Sequence, residues 1–438
     1  MFKISTIVLF VVLCAALVVG GVFYFRDTSA PTVTLSPASG AVSANRPLTL
    51  TLDDPSGLRN VKVTATQGTN AVPVLTRTYP QGVTTAKESI KLPTPVLKDG
   101  PFSLKVVAAD RSIYHFGAGN TGESTTKLTY DNTPPTVSVL SVAHNITQGG
   151  SCLIVYTVSE DVQKTGMQVG DHFFPGYRQA SGLYACLFTF PYNMKPADFV
   201  PQLIAIDEAG NIGHGSFYYH TIARKFTASK IKISDAFLAA KQTYFQTLDP
   251  QGKTPLDLFL WVNDQERAKD RAKLHRFGLE TSPVPLWHGT FLRQPDAARM
   301  ANFGDSRDYF YHGKKIDHQT HLGIDLASVD HAPIPASNDG KVVYAGMLGI
   351  YGQCVVLDHG LGLQTLYAHM SRIGVKVGDT VKKGQIIGHT GATGMAGGDH
   401  LHFGVIVSGV PVNPVEWWDP NWLRNNILKK FKLRPDSN

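Results

Sequence analysis

The sequence predicts a mainly β protein built from several domains, and three observations predict it. Runs of alternating Val, Thr, Leu and Tyr, broken by Gly, Pro, Asn and Asp, recur from about residue 30 to 224 and again from 300 to 420. Between the N-terminal helix and the basic tail, sustained helical signals are confined to residues 225–299. At 438 residues the chain exceeds one compact core and suggests about three domains. It divides into an N-terminal tip and apolar helix (1–27), two β-sandwich repeats (28–133 and 134–224), a helical connector (225–299), a β-rich domain (300–420) and a basic tail (421–438).

The first element is ISTIVLFVVLCAALVVGGVFYF, from Ile4 to Phe25, which carries no charge. As a helix it spans roughly 33 Å, enough to cross a bilayer. The small-x-small site Thr28-Ser29-Ala30 lies beyond Arg26-Asp27, so the segment reads as a retained anchor in preference to a cleaved signal. Cys14, inside the apolar run, reads as packing. Lys3 and the amino terminus favour a cytoplasmic N-terminus, with everything after Arg26 exported. The formal charge of +7 suits nucleic acid, anionic lipid or an anionic wall polymer. Export argues against nucleic acid, and no long basic run with interleaved aromatics stands outside the tail.

A faint repeat follows. Ala30-Pro31-Thr32-Val33-Thr34 returns as Pro134-Pro135-Thr136-Val137-Ser138, and LKVVAADRS with GNTG (104–112, 119–122) returns as LIAIDEAGNIG (203–213). Both units resemble the immunoglobulin-like domains of exported bacterial proteins, which implies sandwich spacers that can also meet envelope partners. Their Asp-Gly-Asn clusters read as turn chemistry in preference to calcium binding. Cys152 and Cys186 lie in apolar strands of the second unit, where export permits a bridge that the sequence leaves open. Cys354 reads as a buried thiol, and no cysteine has zinc-knuckle spacing.

In the connector, Thr254-Pro255-Leu256-Asp257 supplies a capping hydroxyl, a proline at the first helical position and an acid three residues after the cap. The helix is expected to end at Gly278 and to pack against a neighbouring domain. The tail carries Leu423, Ile427, Leu428 and Phe431 at helical spacing beside Arg424, Lys429, Lys430, Lys432 and Arg434. Docking on its own domain is preferred to a membrane surface.

The stretch GGDHLHFGV raises the question of function. In a strand His400 and His402 share one face, while Leu401 and Phe403 point to the other. His321 and Asp325, in THLGIDLAS, are four apart, about 13 Å on a straight strand, so they converge only if the backbone bends at Gly323. His369, in TLYAHMS, completes a set rich in imidazole with one carboxylate. Zinc suits such a set, taking three N or O ligands and leaving a position for water or substrate. Two histidines are then left for proton transfer or for stabilising an oxyanion.

From about Phe303 to Trp417 the segments HLGIDLA, IPASNDGKVVYAG, YGQCVVLDHGLGLQTLYAHMS, VKVGDTVKKGQIIGHTGATG and GDHLHFGV occur in a collinear order. In this the chain resembles the lysostaphin/LytM-type zinc metallopeptidases (peptidase family M23-like) that cut peptidoglycan peptides. The resemblance implies an antiparallel β-sheet domain holding one zinc ion through His321, Asp325 and His402. It also implies that His369 and His400 flank the attacking water as the two catalytic histidines, with the role of base open between them. VKVGDTVKKGQIIG also resembles the hammerhead strands of biotinyl and lipoyl carriers, but no modifiable lysine at a hairpin tip beside methionine or an acid is visible.

The expectation is therefore a single-pass inner-membrane protein whose bulk is periplasmic and whose zinc endopeptidase hydrolyses peptidoglycan cross-links. Two alternatives differ in class: a non-cutting activator or scaffold for another wall hydrolase, and a protease acting on non-wall proteins. The remaining histidines of the last domain, His312, His318, His331, His359 and His389, read as solvent-facing or turn-stabilising, and Asp358 as structural.

Overall fold

The computed structural model describes residues 4–92, 97–246, 248 and 252–433. The tail's last residues, 434–438, lie outside the described residues. Strands dominate, and the chain separates into two compact units. The first comprises residues 1–135 with 161–163 and 206–212, and the second the remainder.

The first unit opens with a helix, Ile4–Tyr24, whose Ile7–Tyr24 portion is long and apolar enough to cross a membrane. Residues Thr32–Ser36, Leu48–Asp53 and Thr85–Ile90 then form one antiparallel sheet. A second sheet of five strands is centred on Leu58–Gln67 and Gly100–Asp110. Alternation puts Leu48, Leu50 and Leu52 of the first sheet and Val61, Val63, Leu104 and Val106 of the second into one shared core.

The second unit contains residues 136–160 and 164–205, and here the free thiols differ from a bridged pair. Strand Ser151–Val158 pairs with Tyr184–Thr189 in a register that sets Cys186 opposite Ile154 and Cys152 opposite Phe188. Both cysteines are free and fully buried, as is Cys354. Burial pushes the Cys186 thiol up to about 12.

The connector is helical at Asp235–Phe245, Pro255–Trp261 and Arg267–Leu279, the last two joined by a π-helical turn at Val262–Glu266. Thr254 caps the second helix by accepting from the Asp257 amide at 3.2 Å. The helix does not stop at Gly278, which is buried one residue before the end. A Cβ there would lie 2.3 Å from the Gly409 amide nitrogen, so this glycine permits close packing instead of terminating the helix. Phe245, Leu258, Val262 and Leu274 pack on Ile350, Cys354, Val356, Leu366 and Ile406, joining connector and C-terminal sheet in one core.

That sheet has eight strands, all pairings antiparallel. Its order runs Ala298–Ala301, Ile324–Ala327, Leu401–Val407, Leu363–Met370, Gly352–Gly360, Gly340–Leu348 and Thr380–Val381, with Val410–Val412 pairing to Leu401–Val407. Its central strands, 352–360, 363–370 and 401–407, are buried along almost their whole length. After it, helix Pro414–Trp418 buries Glu416, which accepts from the Ser151 amide at 2.9 Å. The tail docks through Leu423 and Ile427, and Lys430 donates to the Leu153 carbonyl at 2.8 Å.

Candidate metal centre and active site

Three neighbouring strands of the sheet converge on one spot. Asp325 and His402 are register partners on strands 324–327 and 401–407, and His402 is in turn paired with Ala368 on strand 363–370. Ahead of Asp325 the chain leaves the ladder, and Ile324 is the first strand residue after a bend at Gly323. That bend brings His321 back onto Asp325. A Cβ on Gly323 would stand 2.5 Å from His402 Nε2, so a larger residue would displace the imidazole.

His321 Nε2, Asp325 Oδ1 and His402 Nδ1 form a triangle with sides of 2.9, 2.9 and 3.0 Å. The neighbouring ligands of a tetrahedral zinc site stand about 3.3 Å apart, so this spacing suits such an ion. The His321 tautomer is set from outside, because Nδ1 donates to the Asn302 carbonyl at 2.9 Å and turns the Nε2 lone pair inward. Two imidazole nitrogens and a carboxylate in mutual contact bring lone pairs together that a cation satisfies at once. Burial opposes the Asp325 charge, but His321 and His402 outweigh it and hold the carboxyl well below its usual range. Arg307 adds a charge-assisted bond to Asp325 Oδ2 at 3.0 Å. Burial also lowers His402 to about 4, which keeps its ring neutral and able to act as a ligand.

The other two histidines stand beside this triangle. The His369 ring lies 4.9 Å from that of His400 and 5.7 Å from that of His402. His369 sits at φ +64°, a left-handed conformation unusual for a residue with a side chain. One extra residue on its strand, opposite Gln353–Val355, makes a bulge there. Bulges re-aim side chains in this way. His369 Nδ1 donates to the Thr393 carbonyl at 2.9 Å and His400 Nδ1 to the Gly398 carbonyl at 2.8 Å, so each ring keeps an Nε2 lone pair. His400 Nε2 lies 3.6 Å from Asp325 Oδ1.

All five histidine and aspartate positions singled out in the sequence thus come together around one cavity of about 150 Å³. Reading the sequence missed its other walls, among them Arg307, Tyr351 and the connector's Arg267 and Arg271, and it missed the Asn302 carbonyl that orients His321. Asp270, next to Arg271 and three residues after Arg267, accepts from the Ile350 amide at 2.8 Å and so holds the loop that carries Tyr351 beside His402. Of the histidines set aside, His312, His318, His331 and His389 lie outside the cavity. For His359 the structure removes the solvent-facing alternative and leaves the turn-stabilising one. This histidine is fully buried, bonded to the Asp339 carbonyl at 2.7 Å and the Thr365 hydroxyl at 2.8 Å, and burial lowers it to about 4.

Residues 319–414 match the model of peptidase family M23. The DD-carboxypeptidase/endopeptidase Mpg of Neisseria meningitidis is 43% identical over 95 residues, which are 22% of this chain and 22% of that protein. The peptidoglycan DD-endopeptidase ShyA of Vibrio cholerae is 43% identical over 96 residues, again 22% of each chain. The catalytic domain of lysostaphin from Staphylococcus simulans shares 30% identity over 28% of this chain and 92% of its own, with a TM-score of 0.24. The matched region spans about a fifth of the length of the curated relatives. The three clustered side chains, His321, Asp325 and His402, all fall within the matched stretch. The chain carries a peptidase family M23 domain at residues 319–414.

Proposed function

We propose that this chain is a membrane-anchored zinc endopeptidase that hydrolyses the peptide cross-links of peptidoglycan. The observation that carries the reading is the closed triangle of His321 Nε2, Asp325 Oδ1 and His402 Nδ1 beside two further imidazoles with inward lone pairs. In this reading those three residues hold one Zn2+ per chain. The bound ion supplies a Lewis acid that polarises a scissile carbonyl and acidifies water. His369 Nε2 and His400 Nε2 are the lone pairs that take the proton from the attacking water and return it to the leaving amine. Arg307 orients Asp325 by its bond to Oδ2. Arg267 and Arg271 give the cavity a positive wall suited to the free carboxylates of wall peptides.

The relatives' names, DD-endopeptidase and DD-carboxypeptidase/endopeptidase, support the substrate class. The apolar helix supports an anchor in the inner membrane, with the bulk of the chain periplasmic. Residues 28–133 and 134–224 then serve as immunoglobulin-like spacers between bilayer and wall, offering their surfaces to envelope partners.

The test is to incubate the zinc-loaded chain with purified sacculi and to analyse the products by mass spectrometry. Loss of cross-linked dimers by the wild type but not by His402→Ala is the expected result. Dimers left intact by the wild type would overturn the reading and return the non-cutting activator. Cleavage of protein or pentaglycine with dimers untouched would return the non-wall protease.

A further inference from the structure

The first unit holds a second cluster of potential ligands, remote in sequence from the family M23 domain. Asp27, just after the apolar helix, Asp54, after strand Leu48–Asp53, and Asp110, at the end of strand Gly100–Asp110, each offer a carboxylate oxygen. These three oxygens lie within 4.8 Å of one another. Asp54 is 1% exposed and Asp110 0%. Asp54 Oδ1 accepts from the Ser56 amide at 2.9 Å, but Asp54 Oδ2 is sealed from solvent and has no hydrogen-bond partner among the described residues. A buried carboxylate oxygen left without a donor, beside two other carboxylates, is costly unless a cation meets it.

The surrounding bonds hold the cluster in place. Asp110 Oδ1 accepts from the amides of Ser112 and Asn120 at 3.0 and 2.7 Å, and Asp110 Oδ2 from Asn120 Nδ2 at 2.7 Å. Asp27 Oδ1 accepts from the Ser29 amide at 3.0 Å, and the Asp27 carbonyl from the Ser112 hydroxyl at 2.7 Å. The same plan returns about a hundred residues later. Asp207 Oδ1 and Oδ2 accept from the Asn211 amide and Nδ2 at 2.8 and 2.9 Å, Asn211 Nδ2 also reaches the Asp131 carbonyl at 2.9 Å, and Asp131 Oδ1 accepts from the Thr133 amide. Here too an oxygen is stranded, since Asn211 is 1% exposed and its Oδ1 has no partner among the described residues.

We propose that Asp27, Asp54 and Asp110 bind a calcium ion, which fastens the segment leaving the apolar helix to both sheets of the first unit. The donors are all hard oxygens, which selects against zinc and copper. Oxygens on a calcium shell, 2.3–2.6 Å from the ion, are at most about 5 Å apart, and calcium accepts several carboxylates at once. Magnesium needs a tighter octahedron and keeps more of its water. Such an ion goes beyond the reading of the Asp-Gly-Asn clusters as turn chemistry. With Tyr24 and Phe25 already packed against Tyr114, ring centroids 5.3 and 5.9 Å apart, the ion would make the join between helix and sheets stiff.

The full chain in detergent, with zinc held saturating, is dialysed against CaCl2 at about 1 mM, in the range of extracellular calcium modules, and the bound calcium is counted. Wild type is expected to retain calcium. Asp54→Asn, which keeps the side chain's shape, is expected to retain one equivalent less at unchanged zinc content, and calcium is expected to raise the wild-type melting temperature by about 5 °C or more. A wild type that takes up no calcium, or an Asp54→Asn chain that takes up as much as wild type, overturns the proposal. Should Asp54→Asn fail to fold, a Tb3+ titration of the wild type decides. Tyrosine-sensitised emission displaced by Ca2+ well before Mg2+ supports the site, and emission that Ca2+ does not displace overturns it.

Discussion

Asp325 and His402 stand opposite each other on adjacent antiparallel strands, with His402 Nδ1 3.0 Å from Asp325 Oδ1. The ladder of the sheet itself therefore sets two of the three candidate ligands. Only His321 depends on an irregular segment, the bend at Gly323.

Removing a corner of the triangle is expected to empty it. His402→Ala or Asp325→Ala should bring bound zinc from about one equivalent to below a tenth, because three protein donors are needed for a stable catalytic site. Elemental analysis of folded, chelator-free protein measures this directly. Dimer cleavage should fall to background in the same preparations.

His369→Ala should separate metal binding from catalysis. This ring lies outside the triangle, so zinc content should stay near one equivalent while the cleavage rate drops by about 10²–10⁴-fold, the usual effect of losing a general acid–base group. Equal loss of zinc and rate would assign His369 to the metal shell instead.

Gly323→Ala tests the bend. The added methyl would stand 2.5 Å from His402 Nε2 and has no room unless the imidazole moves. Zinc affinity is expected to fall by about 10–100-fold, as when a ligand's orientation is disturbed. Competition with a chelator gives the affinity, and circular dichroism checks that the sheet persists.

Glu416 should make stability depend on pH. Burial raises its carboxyl from 4.5 to about 7, despite the donated Ser151 amide. A raised carboxyl favours folding while it is protonated, so its contribution is complete below pH 4.5 and is lost as the pH rises through about 7. The loss is at most about 3 kcal/mol. Melting temperatures at pH 5 and pH 8 should differ less for Glu416→Gln than for wild type.

Much of the candidate site was legible because its residues obey local rules. The two-residue period put His400 and His402 on one face, and Gly323 flagged the bend that His321 needs. What sequence could not show is held by distance along the chain. Arg267 and Arg271 reach the cavity from a helix whose only local signals are caps and charges, and Arg307 meets Asp325 from strand Ser306–Tyr311 of a different sheet. The sequence left His359 open between facing solvent and stabilising a turn, because a histidine beside a turn looks exposed until Thr365 and Asp339 close around it. Gly278 was misread for a related reason, since a stop signal and a close-packing contact ask for the same residue. The bridge left open between Cys152 and Cys186 failed on register, which no spacing of cysteines reveals.

All four cysteines of the chain are reduced, and the three in its folded domains are buried. Folding therefore waits on no thiol oxidase or disulfide isomerase, and the native state is the same whether the surrounding medium is oxidising or rich in glutathione. Dithiothreitol should leave the melting curve where it was, so the fold tolerates swings in redox conditions that would unlock a cystine-braced neighbour.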